Sequence, residues 1–451
     1  MKKIFLFLIS TLFSVCLFAE YNRFNIPDSA EIRPLLVERW FEAPLSSLRF
    51  NVPEIYANKI GNKFQVRMEE NDETFNVFVS PETMLNVRVY SDKGFTIQEQ
   101  AVYPGDIQGS WVLVRDKKTE KPLRIRYYFL KDSDVYIQFT PYNRTTLVDL
   151  VIFDNYAAKG VSAGVPFEKF YTASIQDVYD LTQKIIPWDY VTVNSEDFQN
   201  ILQMAGVIQE KLPQITFLPD AMYDESNELV HISTGEPFVE YDEKEGYWAL
   251  SSAGFLKWVA DGLVEPMAGG RLKRKPLIQE TISVKETGRQ GVLSQKYSLF
   301  FGLDWIRNLS SAVLSVFTGR QYLFNQSGVD VKINPFSVGI TKDGIKNPVT
   351  FIEDTGYNIA VLKSLLYVLA ATEPGTFYFG AIRETDKTVI PEIKVFNQNV
   401  VFMPYFNSDG SFNCYVFMNG RELTLEDFCM IYGSDFVYLT KVKSSREFFP
   451  Q

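Results

Sequence analysis

The sequence is poor in the side chains on which metal-dependent and histidine-dependent catalysis relies. Its 451 residues include one histidine, His231, and three cysteines, Cys16, Cys414 and Cys429. Zinc sites with several His and Cys ligands are therefore excluded, and we expect neither a metal ion nor another cofactor. In an oxidising compartment Cys414 and Cys429 can form a disulfide if they meet, which the sequence does not decide.

Positive charge and long apolar segments are also scarce. The chain has 45 Lys and Arg against 55 Asp and Glu, a formal net charge of −10. Because clustered positive charge is needed to bind phosphate backbones, no nucleic-acid partner is expected. After the first residues no stretch reaches the roughly 20 apolar residues that span a bilayer. The nearest, residues 357–371, includes Asn358 and Lys363 and predicts a buried helix.

The first nineteen residues have the three parts of a secretory signal peptide. Lys2 and Lys3 make a basic start, residues 4–18 are mostly apolar, and Ala19 is a small residue at the expected cleavage position. The sequence therefore predicts export to the periplasm, the cell surface or the medium, with residues 1–19 removed. The alternatives are a retained anchor, for which the apolar core is too short, and lipidation of Cys16, which no small residue precedes.

Residues 49–153 alternate between apolar and polar side chains, which indicates strands with one buried and one exposed face. The alternating apolar residues are Phe64, Val66 and Met68; Phe75, Val77 and Val79; Leu85, Val87 and Val89; Leu123, Ile125 and Tyr127; and Val135, Ile137 and Phe139. About eight short strands separated by turns predict an antiparallel β-sandwich. We assign this domain to residues 20–160, with residues 154–160 as a boundary loop.

After residue 160 the apolar spacing becomes helical. It predicts the following helices: 175–185, 195–212, 305–317 and 362–371. Strands are predicted at 400–406 and 414–418, and the turns Asp409-Gly410 and Asn419-Gly420 indicate hairpins. Helices followed by antiparallel strands predict a larger α+β domain over residues 161–451.

Another predicted helix begins with two serines and contains a short stretch similar to a known catalytic motif. The frame Ser251-Ser252-Ala253-Gly254-Phe255 resembles the nucleophile helix of papain-like cell-wall amidases of the NlpC/P60 family, which reads Asp-Cys-Ser-Gly-Phe. The resemblance covers about a dozen residues and implies a papain-like core with Ser252 at the cysteine position. Such enzymes need a thiolate and a histidine farther along the chain, on the sheet. Here no histidine follows the serine, so the resemblance implies a degenerate site, a pseudoenzyme.

Several interpretations of this stretch remain open. A serine at the start of a helix is commonly its cap. A retained pocket lined by Tyr247, Trp248, Ser252 and Trp258 can bind a ligand. Alternatively, these aromatic side chains simply fill the core of the domain.

His231 is the one histidine that can act as a base. Together with Ser252 and one of Asp220, Asp224 or Asp242, it is chemically sufficient for hydrolysis. No Gly-x-Ser-x-Gly motif supports such a site. A structural histidine is the alternative.

A basic run stands out on this acidic chain. Arg271, Lys273, Arg274 and Lys275 follow two glycines and predict a mobile cationic loop. Such a loop can contact an anionic glycan, lipid headgroups or an acidic partner. The alternative is a solvated loop without a partner.

The sequence therefore predicts an exported, non-catalytic protein of the cell envelope, without a transmembrane segment once the signal is removed. Its expected ligand is peptidoglycan, another glycan or an envelope protein. The alternatives are a hydrolase with Ser252 as nucleophile and a purely structural envelope protein.

Overall fold

The computed structural model of the chain describes residues 26–451 except 92–93, 132–133, 240, 242–244, 283–299, 338–339, 342–343, 346–348 and 389. The predicted signal peptide, residues 1–19, lies outside the described residues. The chain forms two compact units. The first contains the described residues up to Asp149 and Gly160–Ile186, and the second contains Leu150–Lys159 and Pro187–Gln451.

A large antiparallel sheet dominates the N-terminal half of the described chain. The strands in this half are β1 (Glu54–Ala57), β2 (Lys63–Glu70), β3 (Thr74–Pro81), β4 (Thr83–Ser91), β5 (Gly94–Val102), β6 (Trp111–Asp116), β7 (Pro122–Tyr128), β8 (Val135–Tyr142), β9 (Thr145–Ile152) and β10 (Asn155–Ser162). Eight of them form one sheet in the order β1-β2-β3-β6-β7-β8-β9-β10, and β4 pairs with β5 as a separate hairpin. The helical segments are a 3₁₀ turn (Arg33–Leu36), a π turn (Val37–Phe41), α1 (Leu45–Leu48), α2 (Lys169–Thr172) and α3 (Ile175–Thr182).

Helical segments from both ends of the unit cover one face of this sheet. Phe41 of the π turn packs on Trp111 of β6, with ring centroids 4.6 Å apart. Phe170 of α2 stacks on Phe139 of β8 at 3.9 Å. All four rings are buried, so the alternating apolar residues of the strands share a core with segments that lie about 130 residues apart in sequence.

A buried arginine fixes these segments to the sheet. Arg33 donates to the Tyr127 hydroxyl at 2.7 Å and to the backbone carbonyl of Ala173 at 2.7 Å. It also forms an ion pair with Asp28 at 3.2 Å. Because a buried guanidinium must have its donors satisfied, the chain after β10 is needed to complete this core.

The segment that we predicted as a boundary loop, residues 154–160, is not a loop. Asn155–Ser162 is strand β10, the neighbour of β9 in the sheet. The first unit also continues to Ile186, so α2 and α3 belong to it. Propensity did not reveal this strand because Asn155, Ala157 and Gly160 are weak strand formers, and pairing with β9 overrides that preference.

The second unit is a mixed α+β body. Its helices are α4 (Gln199–Lys211), α5 (Ser252–Ala268), α6 (Arg274–Leu277), α7 (Phe301–Thr318), α8 (Phe324–Ser327), α9 (Leu362–Thr372) and α10 (Leu425–Tyr432), with 3₁₀ turns at Trp188–Tyr190, Ser195–Phe198, Leu212–Gln214 and Ile359–Val361. Its strands are β11 (Ile215–Phe217), β12 (Ala221–Tyr223), β13 (Leu229–His231), β14 (Trp248–Leu250), β15 (Ile340–Thr341), β16 (Gly344–Ile345), β17 (Tyr357–Asn358), β18 (Thr376–Asp386), β19 (Ile393–Phe406), β20 (Phe412–Met418), β21 (Arg421–Leu423) and β22 (Phe436–Lys443).

A six-stranded antiparallel sheet with the order β17-β22-β18-β19-β20-β21 forms the centre of this unit. Helices cover both of its faces. On one face the Asn399 side chain of β19 donates to the carbonyl of Gly302 in α7, at 3.2 Å. On the other, Phe402 of β19 packs on Phe428 of α10 with centroids 5.1 Å apart. The predicted α+β class is therefore confirmed for the described residues.

The two cysteines outside the predicted signal peptide are not bonded to each other. Cys414 is buried on β20, Cys429 is half-buried on α10, and both thiols are free. The disulfide that the sequence left open is thus absent from the structure. Within the described part of the chain, none of the helices combines the length with the apolar character that crossing a membrane requires.

Candidate functional site

Ser252, the predicted nucleophile position, is the first residue of α5 and is 9% exposed. Its Oγ atom accepts a hydrogen bond from the backbone N–H of Asn399 on β19, at 3.3 Å. Ser251 is the cap of the helix, because its Oγ atom accepts from the backbone N–H of Gly254 at 3.1 Å and donates to the carbonyl of Ala221 at 3.0 Å. Capping therefore explains Ser251, while Ser252 contacts the central sheet.

His231 contacts Asp220 and Phe238. Its Nδ1 atom is 3.2 Å from Oδ2 of Asp220, and its ring stacks on Phe238 with centroids 3.6 Å apart. The hydroxyl of Ser233 donates to the same Oδ2 atom at 2.5 Å. In the described residues no hydrogen bond joins His231 to Ser252. The structure thus brings together His231 and Asp220, two of the predicted hydrolase residues. The serine beside them is Ser233, and its hydroxyl donates to the carboxylate and not to the imidazole.

The other two candidate aspartates are not in this cluster. Asp224 accepts from the backbone N–H groups of Ser226 and Glu228 at 2.8 and 3.0 Å, and so closes the turn between β12 and β13. Asp242 lies outside the described residues. No group of three or more His, Cys, Asp and Glu side chains in the described segments is arranged to hold a metal ion.

The predicted aromatic lining is partly a surface and partly core. Trp248 and Trp258 have ring centroids 6.0 Å apart, and Trp258 stacks on Phe255 at 5.7 Å. Trp258 is buried, so it belongs to the core of α5. Tyr247 is 39% exposed, and Trp248 is half-buried with the Nζ atom of Lys211 at 5.2 Å from its ring centroid. Of the aromatic side chains proposed as ligand contacts, Tyr247 and Trp248 are therefore the accessible ones.

Gly254, part of the amidase-like frame, has a packing requirement of its own. A Cβ atom at this position would lie 2.1 Å from the carbonyl oxygen of Ala221. That carbonyl also accepts hydrogen bonds from the backbone N–H and the hydroxyl of Ser251. Glycine is needed here so that the start of α5 can approach β12 this closely.

A buried ion pair on α5 was missed by the sequence analysis. Lys257 donates to Oδ2 of Asp261 at 2.6 Å and to the backbone carbonyl of Tyr223 at 2.8 Å. The side chains of Lys257 and Asp261 are 1% and 8% exposed. Burial raises the pKa of Asp261, while Lys257 opposes that shift. Opposite charges four residues apart within an otherwise apolar helix were the signal for this pair.

A second buried polar network surrounds Arg307 on α7. Arg307 donates to the hydroxyl of Tyr438 at 2.8 Å and to Asp330 at 3.2 Å. It also donates to the hydroxyl of Thr281, whose backbone N–H donates to Asp304 at 2.9 Å. Burial raises the pKa of Asp304 and of Tyr438. These groups satisfy one another and join α7 to β22, so the network is structural.

Two members of the basic run are held by the protein. Arg274 donates to the backbone carbonyls of Ile232 and Ser233 at 2.6 and 2.7 Å. Arg271 donates to the backbone carbonyl of Gln451 at 3.0 Å. These hydrogen bonds join the segment to the residues that follow β13 and to Gln451, and Arg274 and Lys275 lie in the short helix α6 rather than in a loop.

Comparison with known families gives one similarity. Residues 22–190 are similar to a family described as a domain of unknown function (DUF8515). No curated protein and no solved structure matches the chain. The family match extends past residue 160 and ends close to Ile186, the last residue of the first structural unit.

Proposed function

We propose that the protein is exported and acts in the cell envelope by binding, not by catalysis. The observation that carries this proposal is the environment of Ser252. Its hydroxyl oxygen accepts a hydrogen bond from the N–H of Asn399, and within the described part of the chain the hydroxyl donates to no side chain. A serine hydroxyl without a base stays protonated at neutral pH and is a weak nucleophile. The one imidazole is engaged with Asp220 and Phe238.

The proposal includes a degenerate papain-like core in the second unit. It is supported by the position of Ser252, in the first turn of a helix whose N-terminus contacts an antiparallel sheet formed farther along the chain. The amidases that the frame resembles need a histidine on that sheet. The sheet residue that contacts Ser252 here is Asn399, and its side-chain amide is occupied by the carbonyl of Gly302.

For the first unit we propose a sandwich-like binding or spacer module. Strand β6 supports this, because it is buried on both faces of the sheet. Trp111 and Leu113 point to the core that contains Tyr127, whereas Val112 and Val114 pack with Tyr128 in a second cluster. A sheet with two buried faces is covered on both sides, as in layered β domains.

The ligand-binding surface that we propose is formed by the exposed Tyr247 and the half-buried Trp248. Tyrosine and tryptophan combine an apolar ring with a polar tip, which suits ligands with both apolar faces and hydroxyl groups, such as glycans. Lys211 over the Trp248 ring adds a cation that can contact the carboxylate of a muropeptide. The proposed ligand class is therefore peptidoglycan fragments.

Calorimetric titration of the protein with purified muropeptides tests this assignment. We expect saturable binding that weakens about tenfold or more in Trp248→Ala. Tyr142→Ala is the matched control, because it removes an exposed aromatic ring of the first unit and should leave binding unchanged. Equal muropeptide binding by both variants would show that Trp248 does not contact the ligand. If muropeptides do not bind, the structural envelope role becomes the better explanation.

Export is tested separately. Protein recovered outside the cytoplasm should have an intact mass that corresponds to a chain starting near Glu20, because the predicted signal ends at Ala19. Detection of residues 1–19 on that material would contradict removal of the signal.

A further inference from the structure

The hairpin of β4 and β5 leaves apolar side chains uncovered. The two strands pair over nine rungs, from Thr83 opposite Val102 to Ser91 opposite Gly94. They pair with each other, whereas the strands on either side of them in sequence, β3 and β6, pair in the large sheet. An isolated two-stranded hairpin is at best marginally stable in water. Among the described strands, none extends this two-stranded sheet.

One face of the hairpin carries most of its exposed apolar surface. Residues directly opposite each other share a face, so Met84, Asn86, Arg88 and Tyr90 lie on the same side as Phe95, Ile97, Glu99 and Ala101. We call this set the hairpin face. Tyr90 is 74% exposed, Ile97 65% and Phe95 52%. Exposed apolar patches of this kind mark interaction surfaces.

The charges on the hairpin face are balanced and arranged symmetrically about its middle rung. That rung is Val87 opposite Gln98, fifth of the nine. Arg88 lies one rung beyond it and Glu99 one rung before it. If a second hairpin is laid antiparallel on this face, about a two-fold axis that lies between the two copies and parallel to the middle rung, the Arg88 rung of each copy faces the Glu99 rung of the other. Arg88 on β4 then lies diagonally across from Glu99 on β5 of the second copy. This is the self-complementarity that a two-fold interface requires.

The apolar residues obey the same symmetry. The rung of Tyr90 and Phe95 lies three rungs beyond the middle, and the rung of Met84 and Ala101 lies three rungs before it. In the antiparallel arrangement each aromatic pair therefore covers a methionine and an alanine, a favourable sulfur–aromatic contact. The face lacks an excess of positive charge and the chain as a whole carries −10, so an anionic membrane is disfavoured as the partner.

We propose that the hairpin face is a contact surface between two copies of this chain, packed antiparallel about a two-fold axis. Nine rungs and two strands give a footprint of about 30 by 10 Å. This is well below the roughly 800 Å² per partner of a standard interface. The association is therefore weak and depends on concentration.

Sedimentation of the full chain at concentrations from about 1 to 200 µM tests this proposal. We expect the average mass to rise from the monomer toward the dimer, and the triple variant Tyr90→Ser, Phe95→Ser, Ile97→Ser to remain a monomer. The matched control is Ile60→Ser, Phe217→Ser, Met430→Ser, which removes three exposed apolar residues outside the hairpin and should still dimerise.

Charge reversal tests the antiparallel register. Arg88→Glu and Glu99→Arg should each weaken dimerisation about threefold or more, and the double variant should recover it, because the two charges lie diagonally across the axis on facing rungs. A wild-type chain that is monomeric throughout, or a triple variant that still dimerises, overturns the proposal. If the double variant does not recover dimerisation, the antiparallel register is overturned. If the chain does not self-associate but sediments with phosphatidylglycerol vesicles, the hairpin face binds a membrane and the proposal is overturned as well.

Discussion

The buried charges of α5 are a structural feature whose energetic role follows from their partners. Lys257 and Asp261 neutralise each other at 2.6 Å in the interior. Removing one partner leaves an unpaired buried charge, which typically costs about 3–5 kcal/mol, whereas replacing both with apolar residues of similar volume is often neutral. Comparing the single with the double variant therefore shows whether the two charges stabilise the fold as a pair.

We therefore expect Lys257→Met to lower the free energy of unfolding by about 3 kcal/mol or more, and Lys257→Met with Asp261→Leu to recover most of that loss. Urea unfolding followed by circular dichroism measures both. Lys363→Met breaks an exposed pair with Glu426 and serves as the control, with a change of about 0.5 kcal/mol or less. An equal loss in the single and double variants would contradict a paired role.

The free thiols give a prediction on pH dependence. Burial raises the pKa of the Cys429 thiol to about 11 and that of Cys414 well above its usual range. At pH 8 only about one Cys429 in a thousand is then a thiolate, the reactive form. Iodoacetamide should modify the native protein slowly, with a rate that still rises about tenfold per pH unit at pH 9, where an ordinary thiol of pKa about 8.5 levels off.

Unfolding the chain that starts near Glu20 should expose two rapidly reacting thiols. Intact-mass measurement after alkylation in urea counts them. Rapid modification of both in the native protein at pH 8 would contradict the burial of these side chains. Absence of modification in urea without reductant would instead show a disulfide.

At the scale of elements, the approach of α5 to β12 depends on Gly254. Ala at this position places a Cβ atom against the Ala221 carbonyl. Gly254→Ala should therefore lower the free energy of unfolding by about 3 kcal/mol, near the upper end for overpacking. Gly206→Ala, within α4 where a Cβ meets no atom within 4 Å, should instead stabilise by about 0.5–1 kcal/mol. Thermal unfolding of both variants measures this contrast, and equal shifts would contradict the packing argument.

The periodicity of apolar residues predicted the helices and strands of this protein better than it predicted which strands pair with each other. The alternating runs at 64–68, 75–79 and 135–139 lie in β2, β3 and β8, and the helical spacing at 175–185 and 305–317 lies over α3 and α7. These patterns are local, so they are visible in the sequence. That β3 pairs with β6, with a hairpin between them, depends on which apolar faces fit together and has no local signal.

The candidate site shows the same limit. Capping by a serine at the start of α5 was predictable because the cap is a local hydrogen bond to the first turn. The contact of Ser252 with Asn399 joins residues 147 positions apart, and nothing near either residue indicates it. From the sequence, Asp220 is one of three candidate aspartate partners for His231. The pairing of β12 with β13 places Ala221 opposite His231, which brings the neighbouring Asp220 carboxylate to 3.2 Å from the imidazole.

At the scale of the whole molecule, the first unit provides a test of where a foldable region ends. A fragment of residues 20–160 lacks Phe170, which stacks on Phe139, and Ala173, whose carbonyl accepts from the buried Arg33. We expect this fragment to lack a cooperative thermal transition, because it leaves a guanidinium unsatisfied and a core face open. A fragment of residues 20–190 should melt cooperatively with a β-type circular dichroism spectrum. Equal melts for the two would place the boundary near residue 160 instead.

The central claim, that Ser252 occupies the place of a nucleophile without acting as one, is tested most directly by covalent labelling. The protein is incubated with a serine-directed fluorophosphonate probe, with Ser252→Ala as the matched control, and the intact mass is measured. Because the Ser252 hydroxyl has no described base, we predict no added mass on either chain. Stoichiometric labelling that disappears in Ser252→Ala would contradict the account and establish the protein as a serine hydrolase.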